Sequence, residues 1–252
     1  MGKVISILNF KGGCGKTTTA INLASALNIC GKRVLVIDLD FQCNASYTLG
    51  FDPKEGSSIF ELFNGSVKEI PIYEHCEGLD YIPSSSEMKH FNEMMALRNR
   101  REYILKKLTD VVRDGYDYVL VDCPANGGLL NVNAMCASDE LLIPIDCEPY
   151  SLHGVVTINE QVSEIIADDV NTDIRVLGFL RTRYDKRQKC HREASMLVEK
   201  ELGSKLLKSV IRINTSLNQA AGQRKSIYEY DPKAAGAEDY MSLAKEVMEK
   251  CK

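Results

Sequence analysis

The chain has 252 residues, 44% hydrophobic and 26% charged, with a formal net charge of −4 at pH 7 and no tryptophan. That is enough apolar material for a substantial core, while the longest apolar runs are strand-sized, far short of the ~20 residues of a membrane helix. The nine cysteines include no C-x-x-C pair, which argues against a disulfide framework or zinc site and for small reduced core residues in a cytosolic chain.

In chain order, the sequence predicts a strand over 4–8, then the glycine-rich run "NFKGGCGKTTT" at 9–19 and a helix over 17–30. Gly2 and Ser6 also match an N-myristoylation pattern, but a core strand at 4–8 makes that match a coincidence. A strand over 33–38 leads into two carboxylates spaced i, i+2, Asp38 and Asp40. A weaker strand over 79–83, a helix over 87–113 and a strand over 117–122 ending in Asp122 follow. The remainder alternates helix 129–137, strand 140–145, helix 151–168, strand 175–181, helix 190–202, strand 206–211 and helix 235–250. Apolar strands separated by helices predict an α/β fold, a mainly parallel twisted sheet with helices on both faces. Its ligands are expected at the carboxyl ends of the strands. No linker or repeat divides 1–252, so a single domain is expected.

The glycine run carries the chemistry. A phosphate loop reads G-x-x-x-x-G-K-[ST], and Gly15, Lys16 and Thr17 supply its second half, although Phe10 stands where the first glycine belongs. Gly12, Gly13 and Gly15 let the backbone, with Cys14 and Thr18, turn its N–H groups toward phosphate oxygens. The following helix contributes its N-terminal dipole. Lys16 can bridge terminal phosphates, and the Thr17 hydroxyl can ligate Mg²⁺. Asp38, Asp40 and Asp122 end or follow buried strands, where a carboxylate is costly unless it meets a cation or solvent. Lys11, a second lysine at the front of the loop, needs a reason of its own.

"KGGCGKTTT" resembles the deviant Walker A motif K-G-G-x-G-K-[ST]-[ST] of the ParA/MinD family of ATPases. The resemblance implies a P-loop NTPase fold, ATP with Mg²⁺, and a homodimer formed on ATP binding. It makes Lys11 a residue that reaches across a two-fold axis to the partner's nucleotide. "DLDFQCN" resembles the family's D-x-D-x-Q-x-N motif, by which Asp40 positions or activates the attacking water and Asp38 lies nearer the loop and Mg²⁺. "VLVDCPAN" resembles a Walker B strand, with Asp122 holding Mg²⁺ through water and a glycine switch at 127–128 behind it; Ala125 and Asn126 replace the family's second proline and serine. "IRIN" stands where the family has P-R-N, so Asn214 is matched to the adenine contact, with Pro144 and Glu148 near the nucleoside. No N-K-x-D guanine reader is present. Cys14 stands where relatives most often place valine. Simple steric tolerance is the main reading, and a thiol sensitised by the helix N-terminus the sharper one.

"YDPKAAGAEDYMSLAKEV" resembles the partitioning branch, of the short ParA/Soj type without an N-terminal helix-turn-helix extension. Against the negative total, 181–233 carries 13 Lys and Arg and 6 Asp and Glu. A two-fold dimer would present that patch twice, which suits nonspecific, salt-sensitive DNA contact through Arg183, Lys186, Arg187, Lys189, Arg192, Arg212 and Arg224. Arg187 matches the family's D-x-R arginine, whereas Ile213 and Ser216 replace the two arginines of P-R-N-x-R-L. The resemblance further implies slow hydrolysis stimulated by a ParB-like centromere-binding protein, in a cytoplasmic protein that joins the nucleoid when ATP-bound. A MinD-like membrane-surface ATPase is the alternative, as is one that positions a protein cargo without DNA. The mixed-charge ending "AKEVMEKCK" lacks the basic amphipathic face that stable membrane association needs.

Overall fold

Every residue of Val34–Asp38, Tyr118–Asp122 and Glu140–Asp146 is buried, as strands covered on both faces must be. The computed structural model describes residues 1–126, 128–147 and 151–252. In chain order the elements are β1 (Lys3–Ile7), α1 (Lys16–Ile29), β2 (Val34–Asp38), α2 (Asn44–Thr48), α3 (Ile59–Asn64), β3 (Tyr73–Cys76) and β4 (Leu79–Ile82). Next come α4 (Phe91–Met94), α5 (Ile104–Val112), β5 (Tyr118–Asp122), α6 (Leu129–Ala137), β6 (Glu140–Asp146) and α7 (Ser151–Ala167). They are followed by β7 (Arg175–Tyr184), α8 (Lys189–Leu202), β8 (Leu206–Arg212), α9 (Thr215–Gly222), α10 (Ile227–Tyr230) and α11 (Ala235–Lys250).

Among the described residues the strands form an eight-stranded sheet ordered β3-β4-β2-β5-β1-β6-β7-β8. It is parallel except for the antiparallel β3–β4 pair at one edge. Alternate residues feed opposite layers. Leu35 and Ile37 of β2 join one core with residues of α3 to α8, while Val34 and Val36 join the other with residues of α1, α9, α10 and α11. This is the expected α/β architecture in a single domain. The carboxyl ends of β1, β2, β5, β6 and β7 meet along one edge of the layer.

The structure departs from expectation between 87 and 113. A single helix was expected there; α4 instead stops at Met94 and α5 starts at Ile104. Arg100 takes a left-handed backbone, φ 54°, which no helix continues through. The new start is capped from another element: Asn133 Oδ1 on α6 accepts the N–H groups of Ile104 (3.0 Å) and Leu105 (3.1 Å). The edge strand β3 and the short helices α2, α3, α9 and α10 are also additions to the elements read from sequence. Gly2 is buried, its N–H donating to the Arg113 carbonyl (3.2 Å), as suits the entry to a core strand. Five of the nine cysteines are buried and none is disulfide-bonded.

Candidate nucleotide site

β1 delivers the chain into the loop at Asn9, whose amide ties the loop to the sheet. Its Nδ2 donates to the Pro144 carbonyl on β6 (2.7 Å), and its Oδ1 accepts the Lys11 N–H (2.9 Å). Gly13 and Gly15 hold φ of 76° and 90°, a left-handed backbone that glycine adopts at little cost, and α1 begins directly after Gly15. From β7, the Thr182 hydroxyl lies 2.8 Å from the Cys14 carbonyl and 3.1 Å from that of Ile145. The loop is thereby braced against both β6 and β7.

Both lysines are held by the chain's own oxygens. The buried Lys16 ammonium donates to the Lys11 carbonyl at 3.0 Å. The Lys11 ammonium donates to Asp146 Oδ2, at the end of β6, at 2.6 Å. Gly12 lies exposed between them, and Thr17 and Thr18 are half-buried in the first turn of α1. The Cys14 thiol is fully buried and donates to the Lys11 carbonyl at 3.3 Å. Burial pushes its pKa up despite the nearby Lys16 charge.

Asp38 and Asp122 stand opposite one another on adjacent strands. Asp38 Oδ1 accepts the Asp40 N–H (2.9 Å), and its Oδ2 accepts the N–H (2.9 Å) and hydroxyl (2.6 Å) of Ser46. Burial pushes Asp38 up to about 6 against the pull of those hydrogen bonds. Asp122 is fully buried, and neither of its oxygens has a hydrogen-bond partner among the described residues. Burial drives its pKa well above the usual carboxylate range, Asp38 adds to the push, and Thr17 and Lys16 oppose it. A buried anion left unanswered is costly unless a cation meets it. An orphaned carboxylate beside a threonine hydroxyl is suited to Mg²⁺, which takes few protein oxygens and completes its shell with water and phosphate. Asp40 sits at the rim, partly exposed, its Oδ1 accepting the Gln42 N–H at 3.0 Å.

Beside the loop, a cavity of about 340 Å³ is bordered by Gly13, Gly15, Thr18, Thr182, Asn214 and Asn218. Asn214 caps α9, its Oδ1 accepting the Ser216 N–H at 2.8 Å. The fold therefore brings Asn214 to the loop from the far end of the sequence. Gly127 and Glu148 lie outside the described residues.

The basic residues divide into three settings. Lys186, Arg187, Lys189 and Arg192 are exposed where β7 passes into α8. There Arg187 pairs with Asp185 (2.8 Å), Lys189 with Glu193 (3.6 Å), and Arg192 donates to the Lys186 (2.9 Å) and Arg187 (3.0 Å) carbonyls. Arg183, also exposed and at φ 52°, donates to the Gly13 carbonyl (3.4 Å), so the segment starts on the nucleotide loop itself. Arg212 is committed to α11, with Asp239 at 2.6 Å and Glu238 at 3.0 Å. Arg224 is apart from both, its guanidinium 5.4 Å from the centre of the Tyr47 ring.

A family model described as an AAA domain matches residues 2–176. The sporulation initiation inhibitor protein Soj of Bacillus subtilis is 38% identical over 250 residues, spanning 98% of each chain. The chromosome partitioning protein ParA of Caulobacter vibrioides is 34% identical, spanning 98% of this chain and 94% of its own. Among solved structures, the septum site-determining protein MinD of Pyrococcus horikoshii, complexed with Mg-ADP, superposes with a TM-score of 0.80 at 26% identity, covering 98% of this chain and 96% of that one. The chain belongs to the ParA/MinD family of ATPases. Two departures from the family motifs of this ParA-type ATPase have a local setting. Phe10, at the missing glycine, is partly buried against the core, and the thiol of Cys14 is buried and donates to the Lys11 carbonyl. Residues that sequence reasoning missed complete the site: Asn9 and Thr182 brace the loop, Ser46 satisfies Asp38, and Asp146 holds Lys11. Of these only Asp146 left a signal, a carboxylate closing the apolar run "ELLIPID" just as Asp38 and Asp122 close theirs.

Proposed function

We propose that this chain is an ATP-dependent switch of DNA partitioning. The observation that carries the proposal is one loop bearing two lysines, Lys11 on Asp146 and Lys16 near Asp122, whose carboxylate oxygens have no hydrogen-bond partner among the described residues. ATP lies along the loop, its phosphates received by the N–H groups of Gly12 to Thr18 and by Lys16, with the adenine toward Asn214. Thr17 and Asp122, with Asp38 behind them, would hold Mg²⁺, which would supply positive charge at the terminal phosphates. Lys11 serves the partner's nucleotide, so two protomers join around two ATP molecules. Asp40, at the rim, orients the water that attacks the terminal phosphorus. Each such electrostatic contact typically supplies ~3 kcal/mol in the transition state.

The dimer presents the exposed basic residues from Arg183 to Arg192 twice and binds DNA without sequence preference. Hydrolysis, stimulated by a ParB-like centromere-binding protein, separates the protomers and releases the DNA. Among the described residues no helix is long and apolar enough to cross a membrane. We place the protein in the cytoplasm, on the nucleoid while ATP is bound.

DNA binding across a salt series, with no nucleotide, ADP, ATP, and ATP plus Asp40→Ala, tests this. Binding should need ATP, strengthen in the variant, and fall steeply as salt rises. ATP-dependent dimers that bind no DNA in any lane would remove the DNA role and favour a protein cargo.

A further inference from the structure

We propose that Asp146 is a positioning residue: it retains Lys11 in its own protomer and so sets the ATP concentration at which two protomers join. This rests on the role of Lys11 in the partner's site given above. The backbone of Lys11 is fixed, its N–H on Asn9 and its carbonyl under Lys16, so only its side chain is left to change places. The Asp146 side chain is 7% exposed and that of Lys11 42%. Asp146 is thus the rigid, desolvated half of the pair, fixed at the end of a strand buried throughout. Lys11 is the mobile half, on a flexible stem.

A short, charge-assisted hydrogen bond of this kind is stronger than an exposed ion pair. For Lys11 to engage a phosphate across the two-fold axis, its ammonium must leave Asp146, and a nearly buried carboxylate then loses a cation. Trans engagement therefore competes with the contact inside the protomer. Only an anion of higher charge, placed by the partner, shifts the balance, because an equilibrium moves by the difference in affinity between its states. The two lysines are also linked. A phosphate that draws Lys16 away from the Lys11 carbonyl removes one restraint on the residue whose side chain Asp146 holds. Asp146 thereby keeps protomers without nucleotide from pairing and makes the dimer respond to filled sites.

The test is sedimentation of the full chain against increasing concentrations of a non-hydrolysable ATP analogue with Mg²⁺. Asp146→Asn keeps the shape and removes the charge, and it should lower the analogue concentration for half-dimerisation by about tenfold, equivalent to about 1.4 kcal/mol. Asp146→Glu should stay near the wild type. In a Lys11→Gln background, which remains monomeric, Asp146→Asn should leave affinity for the analogue unchanged, as a residue acting through Lys11 requires. An unchanged or raised threshold in Asp146→Asn would overturn the proposal, as would an equal change in nucleotide affinity in the Lys11→Gln background. A wild type that stays monomeric at every concentration would remove the trans role of Lys11 itself, and this proposal with it.

Discussion

Asp38 and Asp122 stand side by side on β2 and β5, yet among the described residues hydrogen bonds satisfy Asp38 and not Asp122. Ser46 and the Asp40 N–H surround the first carboxylate, while the oxygens of the second have no hydrogen-bond partner among the described residues. Asp38 organises the turn that carries Asp40, and on the proposed reading Asp122 is the one that would meet a cation.

Asp122→Asn should therefore stabilise the chain without ligands at neutral pH, because it keeps the shape and removes a charge that burial penalises. The sign with pH is fixed. The folded-state pKa of Asp122 is raised, so the folded chain keeps a proton that the unfolded chain releases above about pH 4. The stability from that proton is complete below pH 4 and is lost as pH rises through the folded-state pKa. Chemical denaturation of both proteins from pH 4 to 7 should show the variant's advantage growing with pH. The Mg²⁺-dependent gain in stability should be confined to the wild type.

Lys16→Ala and Lys11→Ala should fail in different ways. The first should lose nucleotide binding, because on the proposed reading Lys16 lies within the loop that receives the phosphates. The second should still bind nucleotide as a monomer, with turnover reduced about 10²- to 10³-fold. Calorimetry with an ATP analogue, beside sedimentation, separates the two outcomes.

Thr182→Val removes the hydroxyl that braces the Cys14 carbonyl and substitutes a side chain of similar shape. The loss of one such hydrogen bond is worth about 1 kcal/mol, so nucleotide affinity should fall about fivefold with little change in global stability. Equilibrium titration of a fluorescent ATP analogue would read it.

Arg212→Ala and charge reversal at Lys186, Arg187, Lys189 and Arg192 should also separate. Arg212 is tied to the nearly buried Asp239 and to α11, so its loss should cost about 1–2 kcal/mol of stability, allowing for its half-exposed position. Reversal of the four exposed charges should leave the melting temperature nearly unchanged, weaken DNA binding strongly and flatten the salt dependence of what remains. Thermal melts and DNA titrations on the same preparations check both.

Much of this was legible in the chain. Strands such as "VLVID" and "YVLVD" are apolar on both faces, and their terminal aspartates mark the site end of the sheet. The loop announces itself because phosphate binding constrains consecutive residues. What escaped reading depends on contacts between distant segments. The N-terminus of α5 exists because Asn133 on another helix caps it. The retention of Lys11 depends on Asp146 arriving from β6, and Arg212 is drawn from the basic surface by acids on α11. No local pattern encodes any of these. β3 was missed because its residues are half-exposed or exposed, which leaves an edge strand without the apolar run that reveals the buried ones.

Mixing two inactive variants, Lys11→Ala and Asp40→Ala, decides whether Lys11 completes the partner's site. In a mixed dimer the Lys11→Ala protomer contributes an intact Asp40 and receives Lys11 from its partner, so that site is whole. ATP turnover should reappear on mixing, although each variant alone has almost none. Turnover no greater than the sum of the separate variants, in a mixture shown to form mixed dimers, would contradict the trans role of Lys11.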